Sequence, residues 1–349
     1  MPDWISAYGA HVKYRRYKFF PGTAALLLLA ATTSRADPVL SSGYNLNMVD
    51  LGTVSLPLTT SSNTFQGLDF NGQSLLLAAW NPAQANYPTS EELWQIPVTY
   101  SAGQISLAAS ASAYATVSTN YDNVPFSFVV SGGLITNPDG TLYYTTSEGD
   151  IGWYHDGASA VSTTLPDPSD PQSCAQTWSC SYVTAIGYLP VGKSTQLVAA
   201  FSDGNWYQVS LATDAGSNTI AATLGNLVYS GLEATSFVYF PGSFAGFSTG
   251  GILVGDAASQ TLKLYGLDSN GNLIPNSQPV VVYTTGNGLV PGYGVARDPN
   301  TGDFLFTTYD NNNGYGQIYE LTVETPEPSA AVMLAACIVL LWWRRTLFG

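Results

Sequence analysis

Asn81, Glu148, Asp203, Asp256 and Asp310 each follow a strongly apolar run and precede an aromatic-bearing one. If those runs are equivalent strands of a repeat, the five oxygen-bearing side chains share one rim. The segments leading into each first strand fall on the same face and add Phe65, Tyr121, Asp122, Trp178, Tyr182, Glu233 and Tyr293. Carboxylates beside aromatic rings suit carbohydrate, because rings stack on the apolar C–H faces of sugars while carboxylates accept hydroxyl hydrogen bonds or hold calcium. The expected ligand-contacting set is therefore Glu148, Asp203, Asp256, Asp310, Trp178 and Tyr182. At any single position a second reading competes, since Asp and Asn favour tight turns for local backbone hydrogen bonds.

Catalysis by the same groups would take the form of glycoside hydrolysis, which needs one protonated carboxyl and one ionised carboxylate across the scissile bond. Asp69, Asp122 and Glu233 are the candidates. A serine hydrolase needs a histidine partner, and His155 is flanked by Tyr154 and Asp156 without a Gly-x-Ser-x-Gly elbow. Gly187-Tyr-Leu-Pro-Val-Gly-Lys-Ser194 satisfies the phosphate-loop pattern by letter. Phosphate binding requires a helix immediately afterwards, whereas Thr195-Gln-Leu-Val-Ala-Ala-Phe201 reads as a strand and Pro190 interrupts the loop. Cys174 and Cys180, six apart, are expected to form a disulfide, because a metal site would find too few ligands near them. No metal or cofactor is expected beyond calcium on the rim.

The elements that must position these groups are strands. Short runs of Val, Ile, Leu, Tyr, Phe, Trp and Thr alternate with Gly, Asn, Asp and Pro, and no apolar pattern keeps helical spacing for three turns. Five units align, each with an apolar second strand and an aromatic third: 75–80 with 93–96, 142–146 with 151–154, 197–201 with 206–209, 252–255 with 262–265, and 304–308 with 318–321. Fourth strands follow the first four near 104–107, 160–163, 220–229 and 280–283, but the fifth unit lacks one. Met48 to Leu56 supplies an unpartnered strand at the other end of the chain. Pairing the two closes a ring and removes exposed edges. The expected fold is all-β, a five-bladed β-propeller within residues 37–323 closed by its N-terminal strand, with six blades or an irregular sandwich as alternatives.

Both ends read as delivery signals. Lys13, Arg15, Arg16 and Lys18 precede an apolar stretch, 19–31, and Ser34-Arg35-Ala36 offers small residues for cleavage, the layout of a secretory signal peptide over residues 1–36. At the other end, Pro326-Glu327-Pro328 precedes an uncharged apolar run, 330–343, that stops at Arg344 and Arg345. That run is short for a permanent helical span, which needs about 20 residues. The tripartite tail, 324–349, resembles the PEP-CTERM sorting signal of Gram-negative bacterial surface proteins. The resemblance implies a short hydrophobic transmembrane helix held transiently in the inner membrane, recognition of Pro326, Glu327 and Pro328 by an exosortase, Arg344 and Arg345 as the stop, and transfer to the cell surface, often alongside exopolysaccharide in a biofilm matrix.

Charge bounds the partners. Between Asp37 and Val323 only Lys193, Lys263 and Arg297 are basic, against 21 acidic residues, a net charge of about −18. Such a surface repels phosphate backbones, so nucleic acid is excluded. An exported, structural or glycan-contacting module facing extracellular polysaccharide is the expected function, with the carboxylate hydrolase as the alternative.

Overall fold

Second strands of this chain are apolar without alternation, Leu75-Leu-Leu-Ala-Ala79 being the clearest, and all five of these side chains are buried. A strand with one wet face would alternate; continuous burial means that both faces of its sheet are covered. The structure is a computed structural model that describes residues 46–323 except 53, 57–63, 81–89, 102, 119–129, 147–148, 163–164, 166–167, 169–180, 215–217, 243, 245–246, 248, 257–258, 275–278, 285–288 and 311–315. The expected signal peptide, the expected sorting tail and the Cys174–Cys180 pair lie outside the described residues.

Among the described residues, twenty-one strands build five small sheets. The chain opens with β1 (Leu46–Gly52). Blade 1 follows with β2 (Thr64–Asn71), β3 (Ser74–Trp80), β4 (Ser90–Ser101), β5 (Gln104–Leu107) and β6 (Ser112–Ser118). Blade 2 comprises β7 (Val130–Thr136), β8 (Leu142–Thr146), β9 (Ile151–His155) and β10 (Ala158–Val161). Blade 3 comprises β11 (Val183–Val191), β12 (Ser194–Phe201), β13 (Trp206–Asp214) and β14 (Thr219–Tyr229). Blade 4 comprises β15 (Ser236–Pro241), β16 (Gly250–Asp256), β17 (Thr261–Gly266) and β18 (Val280–Thr284). Blade 5 comprises β19 (Leu289–Arg297), β20 (Phe304–Asp310) and β21 (Gly316–Val323), and its fourth position is filled by β1.

The pairing of β1 with β21 is antiparallel, Leu46 opposite Val323, Val49 opposite Glu320 and Asp50 opposite Tyr319, with an irregularity before Gly52. The closing strand is shorter than the 48–56 run suggests. Beyond Gly52 the chain crosses to blade 1, where the Ser55 amide donates to the Ala109 carbonyl at 3.0 Å and the Ala111 amide to the Ser55 carbonyl at 3.1 Å. One N-terminal segment thus ties the last blade to the first.

Packing closes the same circle. The apolar core forms five clusters, each shared by two neighbouring blades. Phe65, Leu75 and Leu77 meet Ala296, Leu305 and Ile318 between blades 1 and 5, and Leu76, Ala78 and Leu93 meet Leu134, Leu142 and Tyr144 between blades 1 and 2. The other three clusters join blades 2 and 3, 3 and 4, and 4 and 5. Alternate residues of β3 therefore face different neighbours, as strand geometry requires. Polar bridges recur at equivalent repeat positions: the Thr145 hydroxyl on β8 accepts from the Gly133 amide at 3.1 Å, and the Thr307 hydroxyl on β20 donates across the blade boundary to the Gln66 carbonyl at 3.3 Å.

Blade 1 departs from the repeat. Its third strand is long enough to take two partners in succession, β6 along 90–95 and β5 along 98–101. The repeat read from the sequence includes β5, at 104–107, but not β6.

Candidate functional site

Two carboxylates of the rim expected from the sequence, Asp203 and Asp256, are engaged by their own loops. Asp203 is exposed in the β12–β13 turn, where its carboxylate accepts from the Asn205 amide at 2.9 Å and from the Asn205 side chain at 2.5 Å. Asp256, at the end of β16, is buried and accepts from the Ser259 amide at 3.0 Å, from the Ser259 hydroxyl, and from Lys263 Nζ at 2.9 Å. Burial alone would raise its carboxyl, but the bonds from Ser259 and Lys263 outweigh burial and hold it below the usual value. Both residues do what Asp does in a turn. Tyr182 is 41 % exposed. Glu148, Trp178 and Asn81 lie outside the described residues, as does the side chain of Asp310 at the end of β20.

The hydrolase candidates do not converge where described. Asp69 lies on β2 near its turn into β3 and accepts the Thr136 amide of β7 at 2.5 Å, a clamp between first strands of adjacent blades. Loss of water raises its carboxyl to about 7, against the lowering effect of the Thr136 bonds. Glu233 is exposed in the segment leading into β15. The first strands run side by side in one direction, so Asp69 near an exit and Glu233 at an approach sit at opposite ends of the strand layer. Asp122 is outside the described residues. Around Lys193 the letters of a phosphate loop form a hairpin in which Val191 pairs with Ser194, and β12 follows as a strand. Gly187 is there for packing, since an added Cβ would stand 2.3 Å from the Phe237 ring.

A groove of about 320 Å³ opens between blades 1 and 2, lined by Glu92, Ala113, Tyr114, Ala115, Thr116, Tyr154 and Gly157. Its residues are 92, 114 and 154 in the chain, joined only by the fold. Glu92 on β4 stands opposite Thr116 on β6, and alternation along β6 turns Ala115 and Val117 inward while Thr116 stays exposed. Tyr154 comes from β9, and the wall beyond it is the two-residue turn Asp156-Gly157, in which both residues have positive φ, 48° and 85°. That is the type I′ pattern favoured by hairpin twist, and glycine adopts it without Cβ strain.

The two tyrosine rings lie 6.3 Å apart at 57°. Asn71 Nδ2 donates to the Tyr114 hydroxyl at 3.0 Å and fixes one ring. Burial raises the Tyr114 hydroxyl pKa, with smaller contributions from Tyr154 and from the Asp156 carboxylate. The base is held across the blade boundary: Tyr144 donates to the Ser118 carbonyl at 2.6 Å, and the Ser118 amide donates to Ser159 Oγ at 3.1 Å. His155, on the opposite face of β9 from Tyr154 and stacked on Trp153, is bridged to Thr141 Oγ1 at 3.1 Å and lies 3.4 Å from Asp156. Small side chains at 113, 115 and 157 leave the space, two rings give stacking surface, and Glu92 gives an acceptor. The sequence signal nearest to it is the weakly alternating seven-residue run Ser112-Ala-Tyr-Ala-Thr-Val-Ser118, a fifth strand in blade 1 beyond the four-strand repeat.

A second group of acids gathers where the ring closes. Asp298, which begins the β19–β20 turn, and Glu320 on β21 are buried, and each keeps one carboxylate oxygen, Asp298 Oδ2 and Glu320 Oε1, without a hydrogen-bond partner. Tyr100 of blade 1 donates to Asp298 Oδ1 at 3.0 Å and accepts from Asn300 Nδ2 at 2.9 Å. Burial first, then the charges of Asp303 and Asp298, raise the Glu320 carboxyl to about 7. Among the described residues no three His, Cys, Asp or Glu side chains are arranged to hold a metal ion.

No protein-family model matches the chain, and no curated protein matches its sequence. Some solved structures show a weak likeness to it. A Dos1 propeller is 13 % identical with a TM-score of 0.36, over 80 % of this chain and 62 % of that one. The sialidase of Trypanosoma rangeli, in complex with 2,3-difluorosialic acid, is 12 % identical with a TM-score of 0.40, over 82 % of this chain and 48 % of that one. The chain thus spans less than two thirds of either protein's length, and likeness at this level is confined to general architecture. The five-bladed, all-β propeller rests on the strand pairing and inter-blade packing described above.

Proposed function

We propose that the chain is an exported surface or matrix protein whose acidic propeller contacts extracellular carbohydrate through the groove between blades 1 and 2. The observation that carries this reading is the Tyr114–Tyr154 pair, two rings set at an angle around open space with the Glu92 carboxylate on the same lining. Aromatic faces against sugar C–H groups with a carboxylate accepting hydroxyls is the chemistry that such a groove offers. Export is inferred from the basic–apolar leader of residues 1–36. Sorting by an exosortase, with a transient stay in the inner membrane, is inferred from Pro326-Glu327-Pro328, the apolar run and Arg344-Arg345.

A glycan array on the purified protein tests the reading. Saturable binding is expected, weakened at least about tenfold in Tyr154→Ala, which corresponds to about 1.4 kcal/mol of stacking. Binding unaltered by Tyr154→Ala would place the contact elsewhere. Turnover of a glycan in the same screen would favour the hydrolase alternative over a binding module.

A further inference from the structure

We propose that the carbohydrate held in this groove carries a free amine, so that its ligand is a glycan containing hexosamine units with unacetylated nitrogen. The proposal rests on the carbohydrate reading above and adds the charge class of the ligand.

The groove carries carboxylates and no lysine or arginine. Glu92 lines it, exposed, and makes no hydrogen bond or ion pair among the described residues. Asp156 forms the turn at its wall, close enough for its charge to act on the Tyr114 hydroxyl. The basic residues of residues 37–323 are elsewhere. Lys263 is committed to Asp256 at 2.9 Å and Ser259 Oγ at 3.1 Å in blade 4, Lys193 sits in the β11–β12 turn of blade 3, and Arg297 ends β19 in blade 5.

A uronate, sialate or sulfated sugar would meet these carboxylates with no lysine or arginine to answer its own charge, and like charges at contact repel. A neutral sugar would stack on the tyrosines but leave Glu92 and Asp156 with hydroxyl donors only. A protonated amine on the ring supplies a charge-assisted hydrogen bond to a carboxylate, about twice as strong as a neutral one, and an attraction to the face of a tyrosine. The groove therefore separates sugars by the substituent on one nitrogen.

Isothermal titration of the purified full chain with a glucosamine hexasaccharide, the N-acetylglucosamine hexasaccharide and a hexa-uronate tests this. The amine form is expected to bind at least about tenfold tighter than the acetylated form, with no binding of the uronate. Glu92→Gln should collapse that preference, Tyr154→Ala should weaken both hexosamine ligands, and Asp214→Asn, at the exposed end of β13, should change neither. Equal loss of preference in Glu92→Gln and Asp214→Asn would show bulk attraction by an acidic surface and overturn the proposal, as would tighter binding of the acetylated or uronate ligand. Acetylated binding without amine preference leaves the carbohydrate reading standing and removes this one; no binding of any of the three removes both.

Discussion

Gly187 illustrates how one residue can satisfy a chemical motif and serve packing instead. It is the first glycine of a phosphate-loop pattern, yet the Phe237 ring of the next blade occupies the space where a side chain would project. Gly187→Ala is expected to destabilise the protein by about 1–3 kcal/mol, the usual range for overpacking, read as a lower midpoint in chemical denaturation. ATP should give no thermal stabilisation of the parent chain. A nucleotide-dependent shift in its melting temperature would reverse the assignment. Asp203 and Asp256 carry the same lesson: residue type was legible as carboxylate on a turn, but whether the carboxylate faces a ligand or its own loop depends on Asn205, Ser259 and Lys263, whose positions no single-residue preference settles.

At the scale of elements, runs such as Leu75–Ala79 and Phe304–Thr308 were legible as second strands because burial on both faces leaves a continuous apolar signature. The aromatic third strands and the closing strand were legible too. The β6 strand was not, since Ser112–Ser118 alternates weakly and sits where the repeat already has a fourth strand in β5. The groove was hidden for a related reason: Glu92, Tyr114 and Tyr154 form no local pattern and meet only after β6 takes its place beside β4. The closing blade offers a test of its own. Glu320 on β21 is enclosed by Leu305 of β20, Val49 of β1, Asp298 and Asp303 of the β19–β20 turn with Arg297 beside them, and Tyr100 of β4. Its folded pKa of about 7 lies above the ordinary 4.5, so its stabilising contribution is complete below about pH 4.5 and is lost as pH rises through 7. Asp69 acts in the same direction. Stability should therefore fall between pH 5 and pH 8, and Glu320→Gln should match the parent at pH 5 and exceed it by about 1–2 kcal/mol at pH 8. A variant less stable than the parent at pH 8 would mean that the charged form of Glu320 is the favoured one.

On the scale of the whole molecule, five hydrophobic layers between blades and one borrowed strand close the ring, leaving the outer strand of each blade as its edge. Every site discussed depends on that closure. The groove lies between blades 1 and 2, the acidic seam between blades 5 and 1, and the crossing of Ser55 to Ala109 and Ala111 ties the first strand to both. Amide hydrogen exchange followed by mass spectrometry on the peptide spanning Leu46–Gly52 tests closure directly. The account predicts protection of this peptide comparable to that of its partner Gly316–Val323, whereas exchange at the rate of an unpaired chain would contradict it.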